Sequence, residues 1–406
     1  MTTPDPTLSA APPPVATDAE RLARVTLGRL AEPGDPRIAL LVQQWGAPRA
    51  VELLRDAGRG GAAADVAARL DAVEPARDLD QGARLGLRYL IPGDPEWPAG
   101  LADLAHAGTL HHRGGPPLGL WVRGALRLDT LDAVGGVAVV GSRAATTYGA
   151  AVAGQIAATV AAAGPLVVSG AAFGIDVAAH RAALGAGAPT VAVLACGADR
   201  AYPAAHRELL RRVAVDGALV SEAAPGCAPQ RIRFLARNRL IAALTGVTVV
   251  VEAARRSGAL NTATWAGRLH RPVGGVPGPV TSGSSVGVHD LLREGAATLV
   301  TDGADTLELA GRAGEHLAAG RADTGAPDDP RDRLSVRERQ VLDALPIGRG
   351  ADLGSLARVA GIAVAEVRLT VARLGRAGLA ERDEHGWRLA ARAAAGPGSG
   401  PPTIGP

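Results

Sequence analysis

Short valine-rich runs alternating with alanine-rich stretches dominate the middle of the chain. The runs at 137–140, 166–169, 190–195, 218–222, 247–252, 273–276 and 298–301 are apolar almost throughout. Continuous rather than alternating apolarity is the mark of strands buried on both faces of a parallel sheet. Helical patterns lie between most of them, at 149–163, 175–184, 203–215, 236–244 and 259–270. The alternation predicts an α/β fold with a Rossmann-like, doubly wound, mostly parallel sheet.

On either side the periodicity becomes helical. Thr17 can cap a helix carrying Leu22, Val25 and Leu30, and Asp35-Pro36 can open another carrying Ile38, Leu41 and Val42. These place a small N-terminal helical domain, helix-hairpin-like or SAM-like, at 17–75. A leader with strand-like pieces around Ile91, Trp97 and Trp121 then joins the sheet domain, giving 84–310 in all. Residues 311–333 are rich in Gly, Ala, Asp and Pro and read as a linker. From Ser335 three helical stretches precede a two-stranded segment at 379–389, the outline of a winged-helix domain over 334–390. The ends, 1–16 and 391–406, read as disordered tails.

Composition narrows the function classes. No apolar stretch approaches the roughly 20 residues that span a bilayer, so no membrane role is expected. The N-terminus lacks the basic start and apolar run of a secretion signal. Two cysteines, Cys196 and Cys227, make no disulfide framework, which fits a cytoplasmic location. A net charge of +3 is too small to argue for nucleic acid by itself, so the argument must come from where the basic groups sit. All of them are arginines, which a GC-rich coding bias explains as readily as phosphate recognition does.

In open parallel sheets ligands bind at the carboxyl ends of the strands, and the residues that follow each strand form a cluster of chemistry. The first strand ends in Gly141-Ser142-Arg143, a short polar loop able to aim N–H groups and one guanidinium at an anion. The second ends in Ser169-Gly170 and runs through Phe173-Gly174-Ile175-Asp176. After the fourth comes the strongest signal, Gln230 to Arg239, where Arg231, Arg233, Arg237 and Arg239 crowd together around Phe234 and Asn238. Arg237 and Arg239 are expected at a helix start, where added positive charge calls for an external anion. A partner such as Glu222 or Glu252 is the alternative for any one of them. Past the fifth strand, Ser257, Gly258 and Thr262 stand at another helix start.

Both phenylalanines, Phe173 and Phe234, fall in these loops, where a ring can stack a base or fill the core. His180 and His206 have no Cys or carboxylate at metal-ligand spacing, so neither a metal site nor a catalytic triad is expected. The first loop is not Gly-x-Gly-x-x-Gly and no acid closes the second strand, which disfavours a dinucleotide cofactor.

The order of these motifs resembles the DprA/Smf family: Gly-Ser-Arg at 141–143, Ser-Gly-x-Ala-x-Gly-Ile-Asp at 169–176, Tyr202-Pro203, Arg-Asn-Arg-x-Ile-Ala at 237–242, Ser257-Gly258-Ala259 and Val276-Pro277-Gly278. The likeness is dense from about 91 to 301. Leu235 stands where the family usually has Pro, and Ala171 where a larger apolar residue is common. The resemblance implies a non-enzymatic protein without cofactors that binds single-stranded DNA, works as a homodimer, protects incoming DNA and loads RecA recombinase during natural transformation. Carried over, Gly141, Ser142, Arg143, Ser169, Gly170, Gly174, Phe234, Arg237, Asn238, Arg239, Ser257, Gly258 and Thr262 form the DNA site. For the C-terminal domain, Arg368, Arg373 and Arg376 are offset by Glu381, Asp383 and Glu384, which suits a protein contact or weak duplex binding.

The rival is a nucleotide-binding or nucleotide-hydrolysing Rossmann enzyme related to phosphoribohydrolases, with Arg143 on phosphate and Glu252 as acid/base. Its Pro-Gly-Gly-x-Gly-Thr-x-x-Glu run is missing. Near Gly274-Gly275 no Glu follows at the required spacing.

Overall fold

The structure is a computed structural model that describes residues 16–59, 64–311, 331 and 334–390. The tails and the linker expected from sequence fall almost wholly outside those residues. The chain divides into two compact units, residues 1–318 and 319–406.

The first unit opens with helices α1 (Asp18–Leu30), α2 (Pro36–Trp45), α3 (Ala47–Arg59), α4 (Ala64–Asp71) and α5 (Pro75–Arg84). Thr17 caps α1 by accepting the Glu20 N–H, and Asp35 caps α2 ahead of Pro36, as their residue types predict. These helices pack into the same unit as the sheet. Arg21 donates to both carboxylate oxygens of Asp94, at 2.9 and 2.7 Å, and Arg24 donates to the Leu118 carbonyl at 2.8 Å.

The sheet elements follow in chain order. Strand β1 (Leu87–Leu90), the hairpin β2 (Thr109–Leu110) and β3 (Arg113–Gly114), β4 (Leu120–Arg123) and helix α6 (Thr130–Val134) form the leader. Then come β5 (Gly136–Val140), α7 (Thr147–Ala163), β6 (Leu166–Ser169), α8 (Ile175–Gly185), β7 (Thr190–Val193) and α9 (Arg207–Asp216). The remainder is β8 (Ala218–Ser221), α10 (Arg231–Ala243), β9 (Val247–Val250), α11 (Gly258–Arg268), β10 (Val273–Gly275), α12 (Val286–Arg293), β11 (Thr298–Leu299) and α13 (Gly303–Ala310).

Nine strands make one sheet in the order β1-β4-β8-β7-β6-β5-β9-β10-β11. All neighbours from β8 to β11 are parallel, while β4 and β1 extend one edge antiparallel. The leader is therefore part of the sheet rather than a segment resting on it.

Val137 and Val139 pack with Ile156, Val160 and Ala179 of α7 and α8. Ala138 and Val140 point the other way, into a core holding Leu240, Ile241 and the fully buried Trp265 of α10 and α11. Burial on both faces is why these strands are written almost entirely in valine and alanine. Adjacent strands β5 and β9 lead to helices on opposite faces. Their loops part company, and a crevice opens at that seam.

The second unit consists of α14 (Val336–Asp343), α15 (Leu353–Ala360), α16 (Val364–Arg376) and the antiparallel pair β12 (Ala380–Asp383) and β13 (Gly386–Leu389). Ser335 and Glu338 form a reciprocal capping box, and Val341, Leu356, Val367, Val371 and Leu374 fill the core.

Candidate nucleic-acid interface

The crevice is a groove of about 800 Å³ walled by the loops after β5, β6, β7, β8 and β9. Gly141, Ser142, Arg143, Phe234, Arg237, Asn238, Ser257, Gly258 and Thr262 line it, so most of the residues singled out from sequence converge in space. Ser169, Gly170 and Gly174 stand behind the wall. Ser169 is fully buried and its hydroxyl donates to the Val139 carbonyl at 2.7 Å. Gly174 lies at φ +79°, where a side chain would collide with the Ser142 carbonyl. The Ile175 N–H donates to that same carbonyl at 3.2 Å, which ties the β5 and β6 loops together.

Helix α10 begins at Arg231, five residues earlier than the expected Ala236. Arg-Ile-Arg-Phe-Leu contains no Gly, Pro or Asx to hold it out of a helix, so it joins the first turns. Arg231, Phe234 and Asn238, at spacings of three and four, then share one face towards the groove. Arg237 and Arg239 are two apart, roughly 200° around the helix, and cannot share that face.

Arg239 is accordingly corrected. It is wholly buried, donates to both oxygens of Glu222 at 2.7 and 2.8 Å and to the Gly115 carbonyl at 3.0 Å, and does not line the groove. For this residue the ion-pair alternative holds. The helix-start argument passes instead to Arg231, which is exposed at the first position of α10.

Arg237 is buried against the strand ends. Its Nη1 donates to the carbonyls of Gly170 and Val193, both at 2.7 Å, and its Nε donates to Asn238 Oδ1. Burial pulls its pKa down to about 10, so it stays charged at neutral pH, with Asp176 as the nearby countercharge. Burial in turn pushes the Asp176 carboxyl above its usual range, against the opposing pull of Arg237 and of the Ala172 N–H. Asn238 donates through Nδ2 to the Gly258 carbonyl at 3.2 Å and to Asn261 Oδ1 at 3.1 Å, locking α10 to the start of α11. A side chain at Gly258 would meet nothing within 4 Å, so that backbone faces open space.

Phe234 is half-buried at the groove wall and does not plug the core. The Arg143 guanidinium carbon lies 4.8 Å from its ring centroid, that of Arg237 5.9 Å, and the Tyr202 ring 5.8 Å. Phe173 is 48% exposed. Arg143, Arg231 and Arg256 are exposed at the groove and have no acidic partner among the described residues. By contrast, Arg233 turns away and is held by both oxygens of Glu32 at 2.7 Å.

Arg231, Arg256 and Tyr202 were not among the expected contacts. Helical spacing from Phe234 points to Arg231, the Ser257 cap places Arg256 beside a helix start, and Tyr202-Pro203 stands in the motif order.

Glu252, the acid/base of the rival enzyme reading, is 1% exposed. It accepts the Thr146 N–H at 2.9 Å, the Thr146 hydroxyl at 2.6 Å and the Ser284 hydroxyl at 3.3 Å. Its carboxylate is spent on holding the start of α7, where Thr146 is the cap.

Fold and groove together define a doubly wound α/β protein whose strand ends present arginines, helix starts and an aromatic ring along one groove. The family model for DNA recombination-mediator protein A matches residues 88–311. Over 375 residues the chain is 47% identical to a putative DNA processing protein DprA of Mycobacterium tuberculosis, covering 91% of this chain and 94% of that one. It is 43% identical over 171 residues to DNA processing protein DprA of Streptococcus pneumoniae, 42% of this chain and 60% of that one. The X-ray structure of DprA from Streptococcus pneumoniae superposes with a TM-score of 0.59 at 30% identity, covering 73% of this chain and 98% of that one. The chain belongs to the DNA recombination-mediator protein A family, DprA/Smf. Among the described residues no helix is long and apolar enough to cross a membrane.

Proposed function

We propose that the strand-end groove binds single-stranded DNA, and that the protein, acting as a cytoplasmic homodimer, protects that DNA and delivers it to RecA recombinase in natural transformation. The observation that carries the groove reading is the Arg143 guanidinium 4.8 Å from the Phe234 ring, with Arg231 and Arg256 on the same rim and without an acidic partner among the described residues. Guanidinium groups suit phosphates, and an aromatic ring at a groove wall can stack a base for roughly 1–3 kcal/mol. A duplex keeps its bases stacked on one another and cannot offer them to Phe234, so the groove favours single strands. The dimer and the recombinase step rest on family membership. The protein acts by binding, with no catalytic residue and no cofactor.

Fluorescence anisotropy with single-stranded and duplex oligonucleotides across a salt series tests the groove. Single strands bind more tightly, affinity falls as salt rises, and Phe234→Ala costs about tenfold or more. Equal affinity for both forms, or indifference to the Phe234 change, overturns the reading.

A further inference from the structure

The aromatic side chains at the strand ends continue past the groove. Ala172 lines the groove, and its neighbour Phe173 stands just outside the wall with 48% of its surface exposed. A lone exposed apolar residue is ordinary on a protein surface, but this ring packs on a buried one. It packs on His206 with ring centroids 4.5 Å apart and planes at 67°. His206 is buried, and its Nδ1–H donates to the Ala171 carbonyl at 3.0 Å. Ala171 itself sits at φ +55°, a backbone turn that carries Ala172 and Phe173 outward.

The loop between β7 and α9 links this ring to the one in the groove. Near its C-terminal end Tyr202, 41% exposed, lies 5.8 Å from the Phe234 ring, and a few residues on His206 supports Phe173. The same loop carries Arg200, and Arg207 opens α9 beside it, both exposed and without an acidic partner among the described residues. Their acidic neighbours are already engaged, since Asp199 accepts the Gly226 N–H at 3.0 Å and Glu208 pairs with Arg211 at 2.5 Å.

We propose that Phe173, with Arg200 and Arg207, forms a second stacking station for single-stranded nucleic acid. A strand whose base stacks on Phe234 crosses Tyr202 and places a base several nucleotides further on against Phe173. The proposal rests on the reading of the groove as a single-strand site and extends its length. Unstacked bases again provide the selectivity, because every base has a face that a ring can cover.

The test compares full-length wild type, Phe173→Ala, Phe173→Tyr and Phe234→Ala by anisotropy, using oligothymidylates of about four and about twelve nucleotides. Phe173→Ala is expected to weaken the longer oligonucleotide about tenfold and leave the shorter one unchanged, with Phe173→Tyr restoring the loss. Phe234→Ala weakens both. If Phe173→Ala leaves both affinities unchanged while Phe234→Ala does not, the second station is overturned and the groove stands. An equal loss on both lengths also overturns it, placing Phe173 inside the first site. Failure of the wild type to bind either oligonucleotide overturns the groove reading and this proposal together.

Discussion

The guanidinium of Arg237 fills the space that a side chain at Gly170 would need. A Cβ there would collide with Nη1, the atom that donates to the carbonyls of Gly170 and Val193. Glycine at 170 is thus a condition for seating a buried charge beneath the groove. Gly170→Ala is expected to force the guanidinium off both carbonyls, a loss of about 1–3 kcal/mol for bonds to a charged group. Urea unfolding of the two proteins measures it, and equal midpoints would mean that the loop yields freely.

Among the described residues the Arg143 and Arg256 side chains form no ion pair, and both face solvent at the rim. Replacing either by Ala is expected to weaken single-strand binding with little change in stability. Each loss should also flatten the plot of log affinity against log salt by about 0.7, the counterion release of one phosphate contact on a single strand. Anisotropy titrations across a salt series read both quantities. An unchanged slope would remove that arginine from phosphate contact.

Arg239 and Glu222 form a buried ion pair, with side chains 0% and 8% exposed. Removing one partner leaves the other charged in the interior, so Arg239→Ala is expected to cost about 3–5 kcal/mol of folding stability. Oligonucleotide affinity of the folded fraction should hardly move. A variant that keeps its stability but loses affinity would return Arg239 to the site.

His180 predicts an acid limb of the stability curve. The Thr190 hydroxyl donates to the Val167 carbonyl at 2.6 Å, so the contact at 2.9 Å requires His180 Nδ1 to carry the proton given to Thr190 Oγ1. Burial, reinforced by the charge of Arg237, pulls the imidazole from 6.5 down to about 3. The unfolded chain therefore takes up a proton that the folded chain refuses. This contribution is complete above pH 6.5 and is lost as pH falls from there towards 3. At pH 5 the loss is about 2 kcal/mol. Urea midpoints at neutral and mildly acid pH should converge in His180→Leu; a slope that survives the substitution would come from other groups.

The strands were readable because burial on both faces leaves an unbroken apolar record in valine and alanine, as at Val137 to Val140. The convergence of Arg143, Phe234, Arg237 and Ser257 was readable as well, since strand ends in a parallel sheet share one edge. The start of α10 was not. Arg-Ile-Arg-Phe-Leu reads as a basic loop or as a helix, and only the helical choice puts Arg231 and Phe234 on one face with Asn238. The packing of α1 against the leader was also hidden, because Arg21 and Asp94 are far apart in sequence and ordinary in type.

Arg231 and Arg233 occupy one turn of α10, the first open to the groove and the second gripped by Glu32 in the segment after α1. A ligand that immobilises Arg231 stiffens backbone whose far side is fastened to the N-terminal helices. Occupancy at the strand ends should then register as slowed amide exchange around residues 29–34, a remote reporter of loading that needs no label on the nucleic acid.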